Sequence, residues 1–154
     1  MPSRAAIAAS LILLASSVPA SAWAQAGGFS KPPPDAACTA KSARAADPAK
    51  VAADPDAFLG RCVRLKGLWR DIGFYPSLAE AAQPDALSIA TLSHRRIGLY
   101  LSDADDKAAP TTPKPAVAVG TVGDCSKGFG DRIEGYCRYM KGAYLAVSEI
   151  APAK

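Results

Sequence analysis

Apolar and polar positions alternate through the middle of the chain. From Arg61 to Arg70, Val63, Leu65 and Trp69 fall on one parity and Arg64, Lys66 and Arg70 on the other. A period of two is the signature of a strand with one buried and one solvent-facing side. Gly67 takes an inward slot, where a missing side chain marks a bulge or a sharp bend. The pattern recurs from Arg96 to Leu101, with Ile97, Leu99 and Leu101 facing one way and Arg96, Gly98 and Tyr100 the other. Ile72 to Tyr75 reads as a continuation into a further strand. Ala116 to Val122 is a strand of small and branched residues, and Tyr136 to Met140 and Ala143 to Ile150 complete the set. Leu87 to Leu92 is a less regular strand candidate.

Helical signals are few and short. Asp47-Pro48 and Asp54-Pro55 each set a capping acid before a proline in the first turn. The second runs through Pro55, Asp56, Ala57 and Phe58 and stops at Gly60, a good C-terminal glycine. Pro76 to Pro84 predicts a loop with one helical turn. Ser102 to Pro115 carries Asp103, Asp105, Asp106, Pro110, Pro113 and Pro115 and predicts a solvated loop. Ser126 to Gly135 predicts a glycine-containing loop.

The N-terminus changes the picture. Arg4 precedes the uncharged apolar run Ala5 to Val18, Pro19 follows, and small residues come next. That order is the plan of a secretory signal peptide, and the run is shorter than the ~20 residues a membrane span needs. Ala20-Ser21-Ala22 and Ala24-Gln25-Ala26 both fit the cleavage rule. Cleavage after Ala26 is preferred over Ala22, because it leaves Gly27 rather than Trp23 as the first residue. The expected organisation is a signal peptide at 1–26, a flexible segment at 27–46, a β domain at 47–151 and a tail at 152–154. The expected location is the periplasm or the exterior, with no transmembrane anchor. Loss of Arg4 lowers the formal charge of +4 by one, a mild basicity that favours anionic partners only weakly.

All four cysteines, Cys38, Cys62, Cys125 and Cys137, follow the signal. An even count in an exported chain reads as two disulfides, and no C-x-x-C pair suggests a metal site. Four cysteines allow three pairings. Cys125 ends one strand, and Gly128, Gly130 and Gly135 let the chain fold back to Cys137. Cys62 lies in phase with Arg64 and Lys66, outward, where it can meet the segment carrying Cys38. The expected bonds are therefore Cys125–Cys137 and Cys38–Cys62.

The strands Gly60-Arg61-Cys62-Val63-Arg64-Leu65-Lys66-Gly67, Arg96 to Leu101, Ala118-Val119-Gly120-Thr121-Val122-Gly123 and Tyr144 to Ile150 resemble those of small exported OB-fold domains. The resemblance covers roughly Leu59 to Ile150. It implies a mainly β fold, a small five-stranded antiparallel OB-like barrel with a short N-terminal helix. One departure is that the segment between the third and fourth barrel strands is the proline-rich Ser102 to Pro115, which excludes a long helix there. The helix is expected ahead of the first strand instead.

No catalytic constellation stands out. His94 is the only histidine, and Arg95 and Arg96 beside it disfavour a basic role. Gly128-Phe129-Gly130 lacks the third glycine of a dinucleotide loop. Asp103, Asp105 and Asp106 lack the glycine and distal glutamate of a calcium loop. Neither a metal nor a cofactor is expected. OB-like barrels stack ligands on aromatic rings in basic grooves, which singles out Arg64, Lys66, Trp69, Arg70, Arg96, Tyr100 and Arg138. Solubilising surface charge and core aromatics are the plainer explanation for most of them.

The chain is thus expected to be an exported, non-enzymatic binding or interaction module. Its partner would be an anionic envelope polymer or another envelope protein, and export argues against nucleic acid. A hydrolytic enzyme with an unassigned site, and an inhibitor or structural envelope protein, are the competing classes.

Overall fold

The computed structural model describes residues 32, 34–82, 94–127 and 135–153. The signal segment, Leu87 to Leu92 and the glycines Gly128 and Gly130 lie outside them. Strand β1 is Arg44–Ala46, followed by helix α1, Pro48–Ala53, and a 3-10 turn at Pro55–Phe58. Strands β2, Cys62–Arg70, and β3, Gly73–Tyr75, lead to helix α2, Leu78–Ala82. Strand β4, Ile97–Tyr100, precedes helix α3, Asp103–Lys107. Strand β5, Lys114–Asp124, helix α4, Tyr136–Tyr139, and strand β6, Ala143–Pro152, complete the described elements.

The two Asp-Pro signals act as expected. Asp47 accepts from the Ala49 N–H at the start of α1, and Asp54 accepts from the Ala57 N–H at the start of the 3-10 turn. Gly60 then reverses the chain at a φ of 71°, a conformation that glycine adopts freely.

Five strands close on themselves in the ring β2-β3-β4-β6-β5, because β2 also pairs with β5. The protein is therefore mainly β and built on a small closed barrel, compatible with an OB-like fold. The ring is mixed rather than purely antiparallel, a correction to the sequence expectation: β4 and β6 run parallel, Leu99 opposite Leu145. Local alternation fixes which side chains face inward, but strand direction follows from how the ring closes, and no periodicity carries that.

The period-two pattern places the core. Val63 and Leu65 of β2, Phe74 of β3, Ile97 and Leu99 of β4, Val122 of β5 and Leu145 of β6 are buried together inside the barrel. Val51 and Ala52 of α1 join them, so the capped N-terminal helix contributes to the core. Each fully buried Leu, Ile or Phe contributes about 2 kcal/mol by leaving water. At Gly67 the structure shows a close approach: a Cβ there would lie 2.7 Å from both the Phe74 ring and the Tyr75 carbonyl oxygen, while β2 runs through it with its register to β5 unbroken. Beyond it, the non-β5 edge of β2 changes partner, from β1 at Val63–Leu65 to β3 at Leu68–Arg70.

Three elements differ from expectation. Strand β1 falls in the segment read as flexible and adds to β2 in parallel, outside the ring. Helix α3 occupies part of the segment read as a loop. Its cap is Ser102, whose hydroxyl accepts from the Asp105 N–H and donates to the Asp105 carboxylate 2.6 Å away, so local capping outweighs the prolines that follow. Residues 136–139 are helical rather than extended, with Gly135 as N-cap. The structure forms disulfides Cys38–Cys62 and Cys125–Cys137, and no cysteine is free. The second bond therefore joins the end of β5 to α4, not to another strand.

Candidate functional site

The outer surface of the barrel carries two unlike regions. Along β2, Arg64 and Lys66 point outward and are exposed. The cross-strand partners of Arg64 are Ala45 and Val119, and that of Lys66 is Val117. None of the three is acidic, and neither cation makes an ion pair among the described residues. Opposite charges facing each other across an exposed strand pair stabilise it. Here two positive charges stand over apolar neighbours.

The second region lies over β3, β4 and β6. Tyr75, Tyr100, Tyr136 and Tyr144 are all buried there although the barrel interior is elsewhere. Small residues in the strands make room for them. A Cβ on Gly98 would fall 2.0 Å from the Tyr136 ring, and one on Gly123 would fall 2.0 Å from the Tyr144 ring. Gly123 and Tyr144 are direct cross-strand partners, the arrangement in which an aromatic ring covers the backbone that a glycine leaves bare. Tyr100 and Tyr144 meet edge to face at 5.2 Å between centroids. The Tyr100 hydroxyl accepts from the Cys137 N–H at 3.1 Å, and the Cys125–Cys137 bond holds α4 over the layer.

Arg96 belongs to this region. Its Nε donates to the Tyr136 hydroxyl and its Nη1 to the Tyr75 hydroxyl, each at 3.3 Å. Its guanidinium carbon lies 5.2 Å from the centre of the Tyr136 ring. Burial opposes its charge, but the two tyrosines outweigh that and raise its pKa. Burial raises the pKa of Tyr136, partly offset by Arg96, and likewise that of Tyr100, partly offset by the Cys137 N–H. Tyr144 is pushed up to about 12, first by burial and then by Tyr100 and Asp124.

The seven residues singled out from the sequence do not converge on one groove. Arg64 and Lys66 share the open face of β2. Arg96 and Tyr100 sit in the tyrosine layer, with their hydrogen bonds made inside the protein. Trp69 is half-buried against the core and donates to the Asp71 carbonyl oxygen at 2.8 Å. Arg70 reaches the Ala81 carbonyl oxygen at 3.0 Å and so ties α2 to β2. Arg138 is exposed on α4, 5.4 Å from the Tyr139 ring centre.

No family model, curated protein or solved structure matches this chain. His94 is exposed and borders a cavity of about 440 Å³ with Asp54, Asp56, Asp124 and Lys141. Asp124 is spent on the Ser126 N–H and hydroxyl, both at 2.7 Å, and Asp56 pairs with Lys127. Among the described residues no group of three His, Cys, Asp or Glu is placed to hold a metal ion. Asp105 and its neighbours form the first turn of α3.

Arg44, Phe58 and Arg61 are not among the site residues that the sequence singles out. They border a cavity of about 510 Å³ beside the junction of β1 and β2. Arg61 followed the helix-ending Gly60 and could have been flagged there. Arg44 could not, because Arg44-Ala45-Ala46 has no strand pattern of its own.

Proposed function

We propose that this protein is an exported, non-enzymatic interaction module whose partner is an anionic component of the cell envelope. The observation that carries this reading is the pair Arg64 and Lys66, exposed over Ala45, Val117 and Val119 and without an ion pair among the described residues. Fully paired cysteines, in two disulfides, fit an oxidising compartment. Among the described residues no helix is long and apolar enough to cross a membrane. Residues 1–26 supply the export signal in this reading.

The expected interaction is weak and salt-sensitive, because exposed charges are screened within about 8 Å at physiological ionic strength. The test is retention of the protein, processed after Ala26, on a matrix bearing anionic polymer. Arg64→Glu combined with Lys66→Glu abolishes retention while the far-ultraviolet circular dichroism stays that of the parent. Unchanged retention refutes this reading and leaves the two cations as solubilising residues.

A further inference from the structure

Beyond the open face of β2, the structure assigns a second, more specific site: the cavity bordered by Arg44, Arg61 and Phe58 binds the oxyanion end, phosphate or carboxylate, of a ligand with an apolar stem. Arg64 and Lys66 take no part in it.

The placement of the two arginines follows from the strands. Arg44 is the cross-strand partner of Val63 in the parallel pair of β1 and β2. Arg61 precedes Val63 by two positions, and its carbonyl oxygen continues the ladder to β5 by accepting from the Val122 N–H. Side chains two apart on an extended chain leave from the same side. Arg44 and Arg61 are thus diagonal neighbours on one side of a strand pair, within reach of each other for long side chains. Both border the same cavity, and among the described residues no Asp or Glu borders it with them. Neither makes an ion pair among the described residues.

Two neighbouring cations without an acid repel one another, and an anion between them relieves that. A guanidinium presents a planar fork of donors that matches phosphate and carboxylate oxygens. The fork of Arg61 is steadied by the Phe58 ring, whose centre lies 5.9 Å from its guanidinium carbon. Ser42 also borders the cavity, but its hydroxyl donates to the Ala37 carbonyl oxygen at 2.7 Å. The donors open to a ligand are therefore those of the arginines. The remaining wall, Ala45, Ala46, Phe58, Val63 and the disulfide-bonded Cys62, is apolar. It has no hydrogen bond to offer and suits carbon, which is why the ligand class has a stem as well as a charged end.

The test is calorimetric titration of the disulfide-intact protein with hexyl phosphate, hexanoate, inorganic phosphate and hexanol, backed by backbone amide shifts. Hexyl phosphate or hexanoate is expected to bind about tenfold more tightly than inorganic phosphate or hexanol. The tighter of the two names the oxyanion. The shifts should centre on Arg44, Ala46, Arg61 and Val63. Arg44→Gln and Arg61→Gln should each weaken binding about tenfold, and Phe58→Leu should reduce the advantage of the alkyl chain while inorganic phosphate binds as before. The Arg64→Glu, Lys66→Glu protein should bind as the parent does, which separates this site from the β2 face. The inference is overturned if neither stemmed anion binds, if hexanol binds as well as they do, or if both arginine variants bind unchanged.

Discussion

Over β3, β4 and β6 the outer side of the barrel is roofed by tyrosine rings, whereas along β2 it is left to water and two positive side chains. The two regions use similar residue types to opposite ends. In the roofed region Arg96 donates to two tyrosine hydroxyls and leans on a third group, the Tyr136 ring. On β2, Arg64 has alanine and valine as its cross-strand neighbours and no ion pair among the described residues. What a basic residue on a barrel can do is therefore decided across the strand rather than along it. Where glycines let aromatics in, the cation becomes part of the packing. Where small apolar residues face it, the cation stays available to a partner.

The sharpest way to break this contrast is to cut the bond that holds the roof. Cys125→Ser with Cys137→Ser removes a crosslink that closes a loop of sequence separation 12. In the chain-entropy model that is a loss of about 3 kcal/mol. Denaturant unfolding at neutral pH should show it, together with a lost near-ultraviolet dichroism from the tyrosines. Stability within about 0.5 kcal/mol of the parent would mean that the ring packing alone secures α4. Retention on an anionic matrix should survive in the native protein, since Arg64 and Lys66 lie elsewhere.

The open region was the more legible of the two in the sequence. Period-two alternation over Arg61 to Arg70 needs no tertiary partner to be read, and it also placed Cys62 outward, which led to Cys38. The roofed region depends on contacts between distant segments. Tyr136-Cys137-Arg138-Tyr139 has aromatic residues that suit a strand, yet it is a helical turn, because Tyr136 fills the space over Gly98 and the Cys125 bond draws Cys137 inward. Arg96 and Tyr100 were visible as basic and aromatic, but nothing local told that Tyr75 and Tyr136 would engage the guanidinium. The parallel pairing of β4 with β6 was hidden for the same reason. Helix α3 is a different case: Ser102 followed three residues later by Asp105 is a capping signal, outweighed in the reading by three nearby prolines.

A second way to separate the regions is alkaline titration. Tyr144 has a folded pKa of about 12, and Tyr100 and Tyr136 are also raised. An unfolded tyrosine titrates near 10. Below about pH 10 both states hold the proton and stability does not depend on these groups. Between about 10 and 12 the unfolded chain gives up protons that the folded protein keeps, so stability falls as pH rises. The part of the tyrosinate absorbance that comes from Tyr100, Tyr136 and Tyr144 should therefore rise late and together with loss of the fold. A full tyrosinate signal at pH 11 from a protein that still shows native dichroism would contradict the burial of the layer.

The smallest expected effects come from removing one cation in each region. Arg96→Ala leaves the Tyr75 and Tyr136 hydroxyls without their donor and removes the charge from the Tyr136 ring. Hydrogen bonds to charged groups are worth about 1.5–3 kcal/mol each when buried, and half-burial with long 3.3 Å contacts places this loss lower, at about 1–2 kcal/mol. Arg96→Lys should recover only part of it, because an ammonium lacks the planar fork that spans two hydroxyls. Arg64→Ala removes a side chain that makes no ion pair among the described residues and stands over apolar neighbours, and should change stability by no more than about 0.5 kcal/mol. Paired denaturant curves of the two alanine variants measure the difference directly. Equal losses would show that Arg64 is anchored in the folded protein as Arg96 is, and the β2 face would no longer stand as a free cationic surface.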